Sequence, residues 1–199
     1  MSTPPATTLH RKLTRSQLEK RQRILNAGVE LARQHGYDGF STRDVAREAG
    51  VALGTVYHNF TSKDHLLAEG LLDWLEEFDE RLRSEPIRGR RIDVRLADLY
   101  ERMAIRSASE PHLHEALRRV MTSSDESVAS LRTQNIEATR RWFETAIGNT
   151  EVDDPEGLIE VLEYIFVGAF LMAPADRDPT ALIRQLKRAV LFVTKGVGS

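Results

Sequence analysis

Phe40-Ser41-Thr42-Arg43-Asp44-Val45-Ala46-Arg47-Glu48-Ala49-Gly50-Val51-Ala52-Leu53-Gly54-Thr55-Val56-Tyr57-His58-Asn59-Phe60 is the stretch whose reading decides the fold. A short helix starts at Ser41 or Thr42, with Asp44 placed to complete its cap, and stops at Gly50, a residue suited to a left-handed turn. A second short helix runs from about Leu53 to Asn59. Val45, Ala46, Ala49, Val51 and Val56 supply the small apolar contacts that hold two helices at a steep angle, the helix-turn-helix arrangement. The second helix is too short and too polar for a core element. Thr55, Tyr57, His58 and Asn59 project donors from it that suit phosphate oxygens and base edges in a major groove.

Working outward, almost every segment has helical periodicity and none shows persuasive strand alternation. Upstream, Thr14 followed by Gln17 reads as a capping box. It opens a helix with Leu18, Ile24, Leu25, Leu31 and Ala32 inward, ending before Gly36. Downstream, Ser62 caps a long helix to about Ser84, with Leu67, Leu71, Trp74, Leu75, Phe78 and Leu82 on one stripe. Pro86 and Gly89 break it. Further helices are predicted at roughly 92–108, 111–121 and 125–147, and Pro155 starts a strongly apolar helix to about Ala173. Pro174 and Pro179 interrupt that helix before a last one at about 180–195. The expected fold is all-α: an N-terminal three-helix helix-turn-helix domain (14–61) and a C-terminal helical bundle (62–199), about nine helices in all. Residues 1–13 read as a flexible basic arm.

The 199 residues carry a formal net charge of −2 that hides an asymmetry. Residues 1–63 hold ten Lys/Arg against five Asp/Glu, and the remainder holds 18 against 25. A basic first third on an acidic body fits a chain with one end on a polyanion. With no cysteine, disulfides, thiolate metal sites and a cysteine nucleophile are excluded. The longest apolar run, Tyr164 to Ala175, is too short for a membrane span. The opening Met1 to Thr8 is polar and unlike a signal peptide. A cytoplasmic protein with no membrane partner is expected.

The segment from about residue 16 to 70 resembles the DNA-binding domain of the TetR (tetracycline repressor) family of bacterial regulators. The matching residues are Ile24-Leu25-Asn26-Ala27, Gly36-Tyr37, Ser41-Thr42-Arg43-Asp44-Val45-Ala46, Ala49-Gly50-Val51, Gly54-Thr55-Val56-Tyr57 and Phe60-Thr61-Ser62-Lys63-Asp64-His65-Leu66-Leu67. A helix before the helix-turn-helix and Phe-x-Ser-Lys after it make the pattern specific. The resemblance implies that Thr42 and Arg43 open the supporting helix at the DNA. Leu53, Gly54, Thr55, Tyr57, His58 and Asn59 would form the recognition helix, and Lys63 would sit on a phosphate. Arg43 is the candidate for bidentate guanine recognition. Many members carry a serine where this chain has Ala52, so a phosphate contact is missing there. Arg11, Lys12 and Arg15 could add minor-groove contacts.

In the C-terminal two thirds the likeness is one of helix number and length. There the family holds a ligand, and the aromatic and methionine side chains concentrate in the same region. Singly, each reads as ordinary core. Together Trp74, Phe78, Tyr100, Met103, Leu117, Met121, Trp142 and Tyr164 are the candidate lining of a cavity for a small apolar ligand. Glu110-Pro111-His112-Leu113-His114-Glu115-Ala116-Leu117-Arg118-Arg119 resembles the corresponding helix of actinobacterial regulators of steroid and fatty-acid breakdown. That implies a lipid, a steroid or an acyl-CoA with its charged end near arginines. His112 and His114 do not share a helical face, so they read as a surface helix start rather than a metal site, and no metal or cofactor is expected.

The last two long helices are too apolar for one face of a monomer, so a homodimer is expected through Leu162, Phe166, Phe170, Leu186 and Val190. No paired-carboxylate, nucleophile or phosphate-loop motif is present. The expected function is a ligand-responsive repressor, not an enzyme, bound as a dimer to a pseudo-palindromic operator. The alternatives are an all-helical small-molecule-binding protein and a DNA binder acting through a protein partner. The long helix from Ser62 would be a rod joining both sites, with a pivot at residues 62–66.

Overall fold

A computed structural model describes residues 14–171 and 178–195. The expected basic arm at 1–13, with Arg11 and Lys12, lies outside the described residues, as does the expected end of the apolar helix around Met172 and Pro174. Among the described residues there are nine α-helices and no strand. None of those helices is long and apolar enough to cross a membrane.

The first three helices follow their caps. α1 (Arg15–His35) opens where Thr14 accepts from the Gln17 amide and its own N–H donates to the Gln17 side chain at 2.8 Å. α2 (Thr42–Glu48) is closed in the same way by Ser41 and Asp44. Hydrogen bonds from the Ser41 hydroxyl and N–H hold the Asp44 carboxyl down at about 2. Gly50, at φ +64°, makes the turn into α3 (Leu53–Asn59). α4 (Lys63–Ser84) begins with Ser62 accepting from the His65 N–H at 2.9 Å.

The body consists of α5 (Ile92–Ser109), α6 (Pro111–Thr122), α7 (Ala129–Ile147), α8 (Pro155–Phe166) and α9 (Pro179–Val193). A single 3₁₀ turn at Glu126–Val128 leads into α7, and α8 runs on into a π-helical turn, Val167–Leu171. Pro155 and Pro179 both sit at helix starts, behind the caps Asp154 and Asp178, where a missing N–H costs nothing. Pro179 therefore opens α9 rather than ending its predecessor.

α1 packs on α2, α4 and α6, while α4 runs on to touch α6 and α7. α5 lies between α7 and α9, and α8 bridges α7 and α9. One core is continuous from Ile24, Val45 and Val56 through Leu66, Leu71 and Leu99 to Phe143 and Leu162. Leu18, expected inward, is exposed, because the core contacts of α1 begin only at Ile24. α1 and α4 cross at two glycines: a Cβ on Gly28 would overlap the Leu66 side chain, and one on Gly70 would overlap Val29.

The start of α4, the expected pivot, is held by a polar network rather than by few contacts. Asp64 accepts from the hydroxyls of Tyr37 and Ser123. Asp125 is held at about 2 by hydrogen bonds from the Ser62 and Ser127 side chains. His65 meets Glu69 at 2.8 Å, and Glu69 also pairs with Arg21 of α1. Side chains brought by the α6–α7 connection, far away in sequence, tie this junction to the body.

Candidate functional site

The helix-turn-helix offers a compact polar surface. On α3, Gly54, Tyr57 and His58 are exposed, while Leu53, Thr55 and Asn59 are half-buried. The Tyr57 and Thr42 hydroxyls lie 3.0 Å apart, which ties the phenol of α3 to the start of α2. Arg43 is exposed and, among the described residues, has no ion-pair partner, whereas Arg47 is paired with Asp44 at 2.7 Å. Asn59 donates to the Thr55 carbonyl at 2.7 Å, and Leu53 packs against the core. Both are turned partly to their own scaffold.

Lys63, the expected phosphate contact, is held against its own scaffold. Its Nζ donates to the carbonyls of Tyr37 and Phe40, the latter at 2.6 Å, and stands over both rings, 4.5 and 3.9 Å from their centroids. Burial lowers its pKa, with Asp38, Asp64 and Asp44 opposing. In this arrangement the ammonium closes the loop between α1 and α2. Two aromatic residues distant in sequence draw it inward, and the sequence motif alone does not reveal that.

Between α4, α5, α6, α7 and α8 lies a cavity of about 500 Å³, within the usual range of small-molecule sites. Seven of the eight candidate residues line it: Trp74, Phe78, Met103, Leu117, Met121, Trp142 and Tyr164. Tyr100 does not. It is fully buried against Phe143, its hydroxyl donates to the Leu162 carbonyl at 2.7 Å, and burial pushes its pKa up. Phe78 meets Trp142 edge-on at 4.6 Å. Ile136, Tyr164 and Val167 are the exposed apolar residues at the rim.

Polar groups in the wall were missed by the sequence reading: Arg106, His114, Asn135, Thr139, Arg140, Glu160 and Glu163. The available signal was a polar residue interrupting an apolar stripe, as Arg106 does three positions after Met103. His114, expected on the surface, faces the cavity, and burial, aided by the charge of Arg118, lowers its pKa to about 4. His112 points elsewhere and bonds the Arg33 carbonyl at 2.9 Å.

The arginines needed for a charged ligand end are already engaged. Arg106 lies 4.3 Å over the Trp74 ring, donates to the Trp74 carbonyl at 2.6 Å and pairs with Glu77. Burial nevertheless lowers its pKa. Arg140 is shared among Glu144, Glu156 and Glu163, and burial pushes Glu163 up. Arg119 pairs with Asp38 at 3.1 Å.

A chain of contacts runs from the cavity to the DNA-binding end. The Trp74 Nε1 donates to Glu110 Oε2 at 2.6 Å, and Arg33 of α1 donates to Glu110 Oε1 at 3.0 Å. Burial would raise the Glu110 pKa, but these two donors hold it below the ordinary glutamate value.

The expected dimer residues are also corrected. Leu162, Phe170, Leu186 and Val190 are buried within the single chain, and Phe166 packs between Phe143 and Phe170 in the cavity wall. Apolar residues on these helices spread beyond the side that packs in the core, so periodicity alone does not say which of them meet a partner. The apolar side chains left exposed are Val161, Tyr164 and Val167 along α8 and its π turn, and Leu191 and Phe192 on α9.

Comparison with known proteins agrees with this architecture. The family of bacterial regulatory proteins named for tetR matches residues 24–69, which span α1 from Ile24 to the first turns of α4. The transcriptional repressor KstR of Rhodococcus jostii is 35% identical over 153 residues, covering 76% of this chain and 71% of the relative. KstR of Mycobacterium tuberculosis is 30% identical over 157 residues, covering 78% and 71%. Among solved structures, a TetR regulator from Rhodococcus sp. RHA1 superposes with a TM-score of 0.76 at 18% identity, over 91% of this chain and 98% of that one. FadR of Bacillus subtilis, solved with stearoyl-CoA, superposes with a TM-score of 0.67 at 17% identity, over 85% and 96%. With the capped helix-turn-helix, the rod-like α4 and the relatives' identity extending well into the body, the chain belongs to the TetR family of bacterial transcriptional regulators.

Proposed function

We propose that this protein is a ligand-responsive transcriptional repressor, acting in the cytoplasm as a homodimer on a pseudo-palindromic operator and released by a small apolar effector. Residues 14–61 are the reading head and 62–199 the effector-binding and dimerising body. The observation that carries the proposal is the shared carboxylate of Glu110, which joins a tryptophan of the cavity wall to α1 of the head. A DNA binder working only through a protein partner has no need of a 500 Å³ apolar cavity connected in this way.

In this reading Arg43 reads a guanine, and Tyr57, His58, Thr55 and Gly54 of α3 meet the major groove, with Thr42 holding Tyr57 in place. The dimer forms through the exposed apolar face of α8 and α9, centred on Tyr164 and Phe192. Each recognition helix then meets a half-site about one helical turn from the other, roughly 34–36 Å. The effector is apolar or uncharged where it meets the cavity wall, because the arginines there are paired and Glu160 and Glu163 share the wall. This argues against seating the phosphates of an acyl-CoA inside it.

The decisive experiment footprints the DNA beside the protein's own gene, then titrates candidate effectors with and without the operator found. A repressor of this kind binds effector more weakly on operator than off it, typically 5- to 150-fold, by thermodynamic reciprocity. Equal affinity in both states would remove effector release from the function.

A further inference from the structure

Asn135 projects from α7 into the cavity wall, 3% exposed, and neither its Nδ2 nor its Oδ1 has a hydrogen-bond partner. A buried amide left bare at both atoms is uncommon in native interiors, because its lost hydration is uncompensated. Thr139, one turn on, does not relieve it, since its hydroxyl donates to the Asn135 main-chain carbonyl at 3.0 Å. The Nε2 of His114, in the same wall, is also buried and unpartnered, and its ring meets Phe170 edge-on at 6.1 Å. Three unpartnered polar atoms on two residues of the wall thus offer a donor, an acceptor and an imidazole nitrogen, beside the charged Arg106, Arg140, Glu160 and Glu163.

Charge narrows what they fit. The Nε of Arg106 is unpartnered too, but its guanidinium is stacked on Trp74, and the charge is met by Glu77 and Glu110. Glu163, with a bare Oε1 of its own, lies in the same wall and repels an anion. A carboxylate can accept from Asn135 Nδ2, but it leaves Oδ1 unmatched. A hydroxyl both donates and accepts a hydrogen bond, whereas an ether only accepts one.

We propose that Asn135, with His114 beside it in the cavity wall, is the specificity-determining group for an uncharged hydroxyl on an otherwise apolar effector. The assignment rests on reading the cavity as the effector site.

The protein carries its own reporter. Its two tryptophans, Trp74 and Trp142, both line the cavity, so intrinsic fluorescence follows occupancy without DNA. The probes are dodecanol, dodecanoate and dodecyl methyl ether, titrated against the wild type and Asn135→Leu. The wild type should bind the alcohol most tightly. Asn135→Leu should weaken the alcohol about tenfold, the weight of one hydrogen bond to a buried group, and leave the ether unchanged or tighter. Unliganded Asn135→Leu should melt no lower than the wild type, because leucine leaves no bare dipole. A lower melting temperature would make Asn135 a structural residue and overturn the assignment. So would dodecanoate outcompeting the alcohol, or an alcohol preference that survives Asn135→Leu. Equal binding of all three probes removes the hydroxyl reading alone, whereas no fluorescence response to any of them removes the effector cavity itself.

Discussion

The indole of Trp74 and the carboxylate of Glu110 meet at 2.6 Å, one from the wall of the cavity and the other from the residue that precedes α6. Because Glu110 also holds Arg33, an effector that displaces the indole loosens a tie to α1. Glu110→Ala should lower stability by about 1–3 kcal/mol, the cost of unpairing charge-assisted hydrogen bonds. It should also weaken the coupling between effector and operator while leaving intrinsic DNA affinity in place. Denaturant melts and paired titrations check both parts.

Lys63→Ala and Arg43→Ala should fail differently. Losing the Lys63 ammonium from the Tyr37 and Phe40 carbonyls should destabilise the head by about 1–3 kcal/mol. The salt dependence of operator binding should stay as it was, since no phosphate contact is lost. Arg43→Ala should leave the melt unchanged and relax base preference at one position by about 1–3 kcal/mol. Thermal melts together with a panel of operator variants at several salt concentrations separate the two.

Tyr164→Asp with Phe192→Asp should give a folded monomer, because both side chains are largely exposed in the single chain, at 78% and 73%. Phe166→Asp with Val190→Asp should instead unfold the body, since both pack within one protomer. Sedimentation and circular dichroism distinguish a folded monomer from a collapsed core.

His114 should make the protein acid-sensitive. Its pKa, about 4 in the folded chain against about 6.5 for an ordinary histidine, means the unfolded chain takes up a proton first as pH falls. The stability linked to a neutral His114 is complete above about pH 6.5 and is lost on the way down to about pH 4. His114→Gln should flatten the melting temperature across that window. The Asp44 and Asp125 carboxyls, held near 2, act only below the ordinary aspartate range.

What the sequence made legible was local or strongly periodic. The caps at Thr14, Ser41 and Ser62 need only residues within three positions, so α1, α2 and α4 start where expected. Trp74 and Phe78, one turn apart on a clear stripe, fell on the cavity for the same reason. Tyr100, Phe166 and Val190 did not follow, because α5, α8 and α9 are apolar on more than one side, and only tertiary packing chooses among core, cavity and partner. Lys63 and the pinned start of α4 depend on Tyr37, Phe40, Ser123 and Asp125, whose approach no spacing along the chain encodes. Nothing in the sequence around Asn135 marks it, and only its surroundings leave its amide bare.

The crossing of α1 and α4 at Gly28 and Gly70 has a mechanical consequence. Where side chains would act as a compressible cushion, backbone lies against Leu66 and Val29 with no slack, so the two helices turn as one lever. α4 is 22 residues, about 33 Å long, so a tilt of about 5° swings its far end by about 3 Å. That is close to a whole base-pair step along DNA, reached without any helix bending and with the cavity changing shape only slightly. Bulk added at either glycine would prise the two helices apart and loosen the lever at its fulcrum.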